Sequence, residues 1–124
     1  MSRIVLIDDE PVLRLTFRHI LEGAGHEVRD AANGKIGVSL CRQACPDLVI
    51  TDVIMPEQEG GATLEILERE FPGVPVIVMS GTEAPHLSAI PSGQVCYVLK
   101  PLDRPRLLQL VEAMLAHHEG DCTV

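Results

Sequence analysis

The sequence predicts an α/β fold in which helices cover both faces of a parallel β-sheet. Short apolar runs rich in β-branched residues recur along the chain, and runs of this kind are typical of strands buried on both faces. Segments with apolar residues three and four positions apart separate these runs, as expected for amphipathic helices. Because the two patterns alternate and are joined by short loops, parallel strands with right-handed crossovers are favoured.

Five segments fit the strand pattern. The segment from Glu27 to Asp30 has Val28 as its only central apolar residue, which indicates an edge strand with less complete burial. The other four are continuous apolar runs, at residues 4–7, 48–50, 74–79 and 95–99.

Each of the five strands is predicted to be followed by a helix, and four of these helices have a regular pattern. The first has Pro11 in its opening turn, where proline is well tolerated, and the second begins at Asn33-Gly34 and ends before Pro46. The third ends at Pro72-Gly73. The residues expected to face the sheet are Leu13, Phe17, Ile20 and Leu21 in the first helix, Ile36, Leu40, Cys41 and Ala44 in the second, Leu64, Leu67 and Phe71 in the third, and Leu107, Leu110, Val111, Met114 and Leu115 in the last.

The connection between the fourth and fifth strands departs from this regular pattern. Residues 83–93 contain Pro85 and Pro91, so they predict a short or distorted fourth helix. No linker or repeat interrupts the chain. We therefore expect one domain over residues 1–118, followed by a frayed tail at residues 119–124.

Composition and charge exclude several classes of function. The 124 residues include 10 Lys+Arg and 18 Asp+Glu, for a net charge of −8, whereas binding to nucleic-acid phosphates needs a basic surface. No apolar run reaches the roughly 18 residues of a membrane span, and no secretory signal is recognisable. We expect a soluble, cytoplasmic protein with no direct nucleic-acid or membrane partner. The four cysteines form no CxxC pair and are expected to be reduced thiols.

Polar side chains follow four of the predicted strands. Asp8 and Asp9 follow the first strand, Asp52 the third, Ser80 the fourth and Lys100 the fifth. Binding sites of open α/β sheets form at the carboxyl ends of the strands, so these side chains are expected to converge at one edge.

The chemistry of this group indicates a metal and phosphoryl site. Three adjacent carboxylates repel one another unless a cation joins them, and Mg²⁺ suits a site with few carboxylates and several waters. A nearby lysine would neutralise an anion, and the Ser80 hydroxyl would donate a hydrogen bond to it. A phosphoryl group fits this environment, with a carboxylate attacking phosphorus.

Five motifs of the chain together resemble the signature of response regulator receiver domains. They are Asp8-Asp9, Asp52, the Val-Ile-Met-Pro stretch at residues 53–56, Ser80 and Lys100-Pro101. The resemblance extends from residue 3 to about residue 118. It implies a doubly wound sheet in the order 2-1-3-4-5, for which a member of this family is a standard example. It also implies a phosphorelay protein that receives its phosphoryl group from a sensor histidine kinase or a histidine phosphotransfer protein.

The resemblance assigns roles to individual residues. Asp52 matches the phosphoacceptor, Asp9 the direct Mg²⁺ ligand, and Asp8 the acid that acts through metal-bound water. Ile54 matches the position whose backbone carbonyl completes the metal shell. Lys100 matches the lysine that pairs with the phosphoryl oxygens.

The resemblance also implies a switch. Ser80 matches the hydroxyl that moves toward the phosphoryl group, and Tyr97 the aromatic residue that swings inward with it. The altered surface would bind a downstream target protein, and the resemblance is also compatible with a homodimer. Such a protein is not an enzyme beyond its own dephosphorylation, which the apolar Ile54 is expected to make slow.

Three alternatives stay open at this point. The first is that the chain is an N-terminal receiver fragment of a longer response regulator or hybrid kinase. A phosphatase with an aspartate nucleophile would use the same strand end, although Ile54 stands where that chemistry needs a second acid. A flavin or nucleotide carrier of the same topology is disfavoured, because Asp8, Asp9 and Glu10 follow the first strand in place of a phosphate-binding loop.

Overall fold

A five-stranded parallel sheet forms the centre of the protein. The computed structural model describes residues 2–52, 59–80, 95–99 and 103–117. Within them the strands lie in the order β2-β1-β3-β4-β5, and every neighbouring pair is parallel. The predicted order is thus confirmed, with the least apolar strand, β2, at an edge. The strands are β1 (Arg3–Ile7), β2 (Glu27–Ala31), β3 (Leu48–Asp52), β4 (Val76–Ser80) and β5 (Val95–Leu99).

Helices occupy the predicted places between the strands. Pro11 opens the first helix, and the chain leaves it through Gly25, whose φ of 98° suits glycine. Asn33 caps the second helix by accepting the Ile36 N–H at 2.9 Å. The predicted short fourth helix at residues 83–93 lies outside the described residues. The described helices are α1 (Pro11–Gly23), α2 (Gly34–Gln43), α3 (Glu59–Glu70) and α4 (Arg104–His117).

The two faces of the sheet carry separate hydrophobic clusters, which confirms the doubly wound arrangement. Successive strand residues point to opposite faces, so Ile4 and Leu6 belong to one cluster, whereas Val5 and Ile7 belong to the other. One face packs against α1 and α4 through Phe17, Leu21, Leu107 and Val111. The opposite face packs against α2 and α3 through Val38, Cys41 and Leu67.

The prediction for Ile36 was wrong. Its side chain is 46% exposed, because the face of α2 that meets the sheet is formed by Gly34, Gly37, Val38 and Cys41. Two of these residues are glycines and contribute no apolar side chain to a hydropathy pattern. The pattern of larger side chains therefore indicated a helix face rotated away from the one that is buried.

The cysteines differ in part from the expectation of reduced thiols. Cys41 and Cys96 are free, as predicted. Cys45 is disulfide-bonded, so the prediction was wrong for this residue. Cys41 lies in the core, and burial raises the pKa of its thiol to about 11.

None of the helices in the described part of the chain has both the length and the apolar composition needed to cross a bilayer.

Candidate functional site

Strand register brings the ends of β1 and β3 together. Ile7 pairs with Thr51, so the residues that follow them, Asp8 and Asp52, occupy adjacent positions at the carboxyl edge of the sheet. The chain runs from β1 to one side of the sheet, and from β3 to the other. Ligands of open α/β sheets bind at such a point of reversal, so the sheet topology alone marks this edge as the candidate site.

Three carboxylates meet at this edge. One oxygen from each of Asp8, Asp9 and Asp52 lies within 4.8 Å of the other two. Asp8 is fully buried and Asp52 is 3% exposed, whereas Asp9 is exposed to solvent. The cluster is therefore buried in the protein at Asp8 and Asp52 and accessible to solvent at Asp9. The juxtaposition of these three predicted residues is present in the structure.

Asp8 is held at several of its atoms. Its N–H donates to the carbonyl of Ala31 at 3.0 Å, and its Oδ1 accepts the N–H of Glu10 at 2.9 Å. The Nη1 of Arg14 donates to the carbonyl of Asp8 at 2.7 Å. These contacts connect the end of β1 to β2 and to the start of α1, so the carboxylate is oriented before any ligand binds.

The donor set fits a small hard cation. Mg²⁺ prefers oxygen ligands at about 2.0–2.1 Å, so two ligands on opposite sides of the ion are about 4.2 Å apart. The separations observed here, none of them above 4.8 Å, are of this size. Three clustered carboxylates also carry a charge that a divalent cation offsets. These residues could therefore hold Mg²⁺.

The other predicted site residues are placed only in part. Ser80 is the last residue of β4 and pairs with Leu99, so its backbone lies at the same edge as Asp52. Tyr97 lies in β5 and pairs with Val78. The side chains of Ser80 and Tyr97, together with Ile54 and Lys100, lie outside the described part of the structure, and their roles stay predictions.

Two residues near the site were missed by the sequence analysis. Arg14 and Asp30 form an ion pair with Nε and Oδ2 2.9 Å apart, next to the carbonyl of Asp8. The sequence carries only a weak signal for this pair. Arg14 is a basic residue at the fourth position of a helix, and Asp30 is an acid near the end of an edge strand. The two meet in the tertiary structure, where the register of β1 with β2 places Asp30 beside Leu6 and α1 brings Arg14 to it.

Comparison with known families decides the class of protein. Residues 4–112 match the model of the response regulator receiver domain, which is most of the chain. The chain belongs to this family. The predicted resemblance is thereby confirmed, and the acidic cluster of this receiver domain lies at the carboxyl edge of the sheet that the family's fold provides.

Relatives of this receiver domain differ in length. It is 36% identical over 120 residues to protein PilH of Pseudomonas aeruginosa, covering 94% of this chain and 99% of that protein. It is 32% identical to the transcriptional regulatory protein ZraR of Salmonella typhimurium, with 92% of this chain but only 26% of that protein covered. A CheY-like receiver domain from Methanospirillum hungatei has a similar structure, with a TM-score of 0.89, 27% identity, and coverage of 96% and 97% of the two chains.

Proposed function

We propose that this receiver domain acts in the cytoplasm as a phosphoacceptor of a two-component phosphorelay. Asp52 would take a phosphoryl group from the phosphohistidine of a sensor histidine kinase or a histidine phosphotransfer protein. The observation that carries this proposal is the cluster of Asp8, Asp9 and Asp52 at the reversal point of the sheet. The membership of the family supports the same conclusion.

The position of Asp52 suits a nucleophile. It is the last residue of β3 and only 3% exposed, so its carboxylate has a defined position in the sheet. An oxygen of this carboxylate would attack phosphorus as the bond from phosphorus to the histidine nitrogen breaks. Because a positioned group reacts without first having to be ordered, the rigid strand end contributes to the rate.

The residues proposed to hold Mg²⁺ are Asp8, Asp9, Asp52 and the backbone carbonyl of Ile54. When bound, the ion would neutralise charge on the phosphoryl oxygens. Lys100, one residue after β5, would pair with the same oxygens as a point charge. Asp9 is the exposed member of the cluster and stands on the side from which solvent and a donor would approach.

We propose that phosphorylation shifts an existing equilibrium between two conformations. The added charge and acceptor oxygens at Asp52 would favour the conformation in which Ser80 and Tyr97 have moved inward. The surface changed by this movement would bind a downstream target protein or a second copy of the chain. The unit that switches is proposed to be residues 1–118, with residues 119–124 as a tail.

The proposal is tested by labelling the full chain with acetyl phosphate in the presence of Mg²⁺. Intact-mass spectrometry should show the addition of one phosphoryl group, and Asp52→Asn should abolish it. Glu65→Gln, which removes an exposed acid from α3, is the matched control and should label normally. Labelling of Asp52→Asn, or equal labelling after Mg²⁺ is chelated, would contradict the proposal.

The same experiment separates the phosphoacceptor from the phosphatase alternative. A phosphoacceptor with an apolar residue at Ile54 should accumulate the labelled form and release phosphate slowly. A phosphatase would release phosphate over many turnovers without accumulating label.

The proposed movement of Tyr97 is tested by adding beryllofluoride with Mg²⁺. This addition should change the fluorescence emission of Tyr97, which is the only tyrosine of a chain without tryptophan.

A further inference from the structure

Arg14 contacts both the candidate metal site and the neighbouring strand. Its Nη1 donates to the carbonyl oxygen of Asp8 at 2.7 Å, and its Nε donates to Oδ2 of Asp30 at 2.9 Å. The side chain is only 20% exposed, so the guanidinium is confined between α1 and β2. A planar guanidinium can hold two acceptors at once in a fixed geometry, which a lysine ammonium does less well.

The acceptor at Asp8 matters because of the peptide to which it belongs. The carbonyl of Asp8 is part of the peptide group that joins Asp8 to Asp9, and this group is planar. A hydrogen bond to that oxygen therefore restrains the orientation of the whole peptide plane. Because the plane includes the Cα of Asp9, it also restrains the position from which the Asp9 side chain extends. Asp9 is exposed, so it depends more on its backbone for its direction than buried Asp8 does.

Asp30 keeps the guanidinium in place and offsets its charge. Its Oδ2 accepts from Arg14, and its Oδ1 accepts from Nη1 of Arg18. Arg18 also donates to Glu22, and the pKa of Arg18 is raised, first by this hydrogen bond and then by the nearby charges of Glu22 and Asp30. Arg14 thus stands beside the acidic cluster as part of an ion-paired group, which favours a role in positioning over a role in neutralising the cluster.

We propose that Arg14 is a positioning residue for Mg²⁺ binding, which acts by orienting the peptide between Asp8 and Asp9 while Asp30 holds its guanidinium. This inference rests on the proposed function, because it assumes that the cluster binds Mg²⁺. It differs from a purely structural role, in which Arg14 would only connect α1 to β2. Loss of a hydrogen bond that orients a metal ligand typically weakens metal binding by about 10–100-fold.

The chain offers a matched control on the same helix. Arg18 pairs with the same carboxylate as Arg14 and lies one turn further along α1, and its side-chain hydrogen bonds go to Glu22 and Asp30. Arg18→Gln therefore removes the same charge and loosens Asp30. Arg14→Gln removes in addition the contact to Asp8. Arg14→Lys retains the charge but not the two-pronged geometry.

The test is a Mg²⁺ titration of the unphosphorylated full chain by isothermal calorimetry, with the free energy of unfolding measured for each variant. We expect Arg14→Gln to raise the Kd for Mg²⁺ about tenfold, near the lower end for outer-sphere partners. Arg14→Lys should fall between Arg14→Gln and the wild type, and Arg18→Gln should stay within about twofold. The backbone amide signals of Asp9 and Glu10 should shift in Arg14→Gln before any metal is added.

The dependence of the labelling rate on Mg²⁺ concentration provides a second measurement. Arg14→Gln should need more Mg²⁺ for half-maximal labelling by acetyl phosphate, yet approach the wild-type rate at saturating Mg²⁺. Wild-type Mg²⁺ affinity in Arg14→Gln, or an equal loss in Arg14→Gln and Arg18→Gln, would overturn the inference and leave the proposed function intact. A wild-type chain that neither binds Mg²⁺ nor accepts label would refute both. If Arg14→Gln does not fold, unchanged affinity in Arg14→Lys overturns the inference.

Discussion

Neutralising Asp9 should change stability in opposite directions with and without Mg²⁺. Asp9 is the exposed member of a cluster in which one oxygen of each carboxylate lies within 4.8 Å of the others. Asp9→Asn keeps the shape of the side chain and removes its charge. Without a divalent cation, the variant should be more stable than the wild type, because Asp8 and Asp52 then face one fewer negative charge.

The magnitude follows from the spacing of the oxygens. At the upper limit of 4.8 Å, two like charges repel by about 0.9 kcal/mol in water and by about 3.5 kcal/mol at an effective dielectric constant of about 20, and closer charges repel more. Asp9 is exposed and screened by salt, so the lower part of this range applies. We expect Asp9→Asn to raise the free energy of unfolding by about 1 kcal/mol in the absence of Mg²⁺.

Mg²⁺ should reverse this order. A ligand that binds only the folded state at a hundred times its Kd stabilises that state by about 2.7 kcal/mol. If Asp9→Asn binds the ion much more weakly, the wild type becomes the more stable protein above about four times its own Kd for Mg²⁺. The two stability curves therefore cross as Mg²⁺ is raised.

The assay is urea unfolding followed by far-ultraviolet circular dichroism over a series of Mg²⁺ concentrations. Glu65→Gln is the control, because it removes one exposed negative charge from α3 and should follow the wild type at every concentration. Destabilisation by Asp9→Asn in chelator, or equal stabilisation of Asp9→Asn and the wild type by Mg²⁺, would refute the argument that these carboxylates share a cation.

Two further predictions concern the α2 face of the sheet. Gly37→Ala should lower the free energy of unfolding by about 1–3 kcal/mol in urea unfolding, because the new Cβ would lie 2.3 Å from Cδ1 of buried Ile7. The new Cβ of Gly23→Ala would have no atom of the described residues within 4 Å, so this change should be neutral or slightly stabilising; equal effects of the two changes would contradict the packing argument. Cys41 should contribute stability that is full below pH 9 and lost as pH rises toward 11, because burial raises its folded-state pKa to about 11. Between pH 9 and 11, the free energy of unfolding should therefore fall less steeply with pH in Cys41→Ala than in the wild type. Identical slopes would show that Cys41 does not titrate in this range.

Most of the fold could be predicted from local pattern. The strands and helices in the described part of the chain lie where hydropathy, proline and glycine predicted them, with small differences at the ends. The fourth strand runs from Val76 to Ser80, whereas the apolar run suggested residues 74–79, because Pro75 has no N–H to donate and contributes only its carbonyl, which accepts from Val49. The length of an apolar run does not show where ladder pairing begins.

The rotation of α2 could not be predicted in the same way. Gly34 and Gly37 face the protein interior, and a Cβ on Gly34 would lie 1.7 Å from the Oγ1 of Thr63. The helix approaches its neighbours so closely because these positions lack side chains. Hydropathy patterns depend on the side chains that are present. They therefore predicted that Ile36 faces the interior, and they gave no signal for the close contact that glycine allows.

Some features of the candidate site are determined by the sequence alone, and others only by the tertiary structure. The sequence by itself determined which residues leave the strand ends, because strand composition and the positions of acids along the chain are local features. Only the tertiary structure decided that three carboxylates meet within 4.8 Å and that Arg14 reaches the carbonyl of Asp8. The carboxylate cluster depends on the register of β1 with β3, and the position of Arg14 depends on Asp30, which lies in β2, sixteen residues further along the chain; both are set by side chains packed from distant parts of the chain.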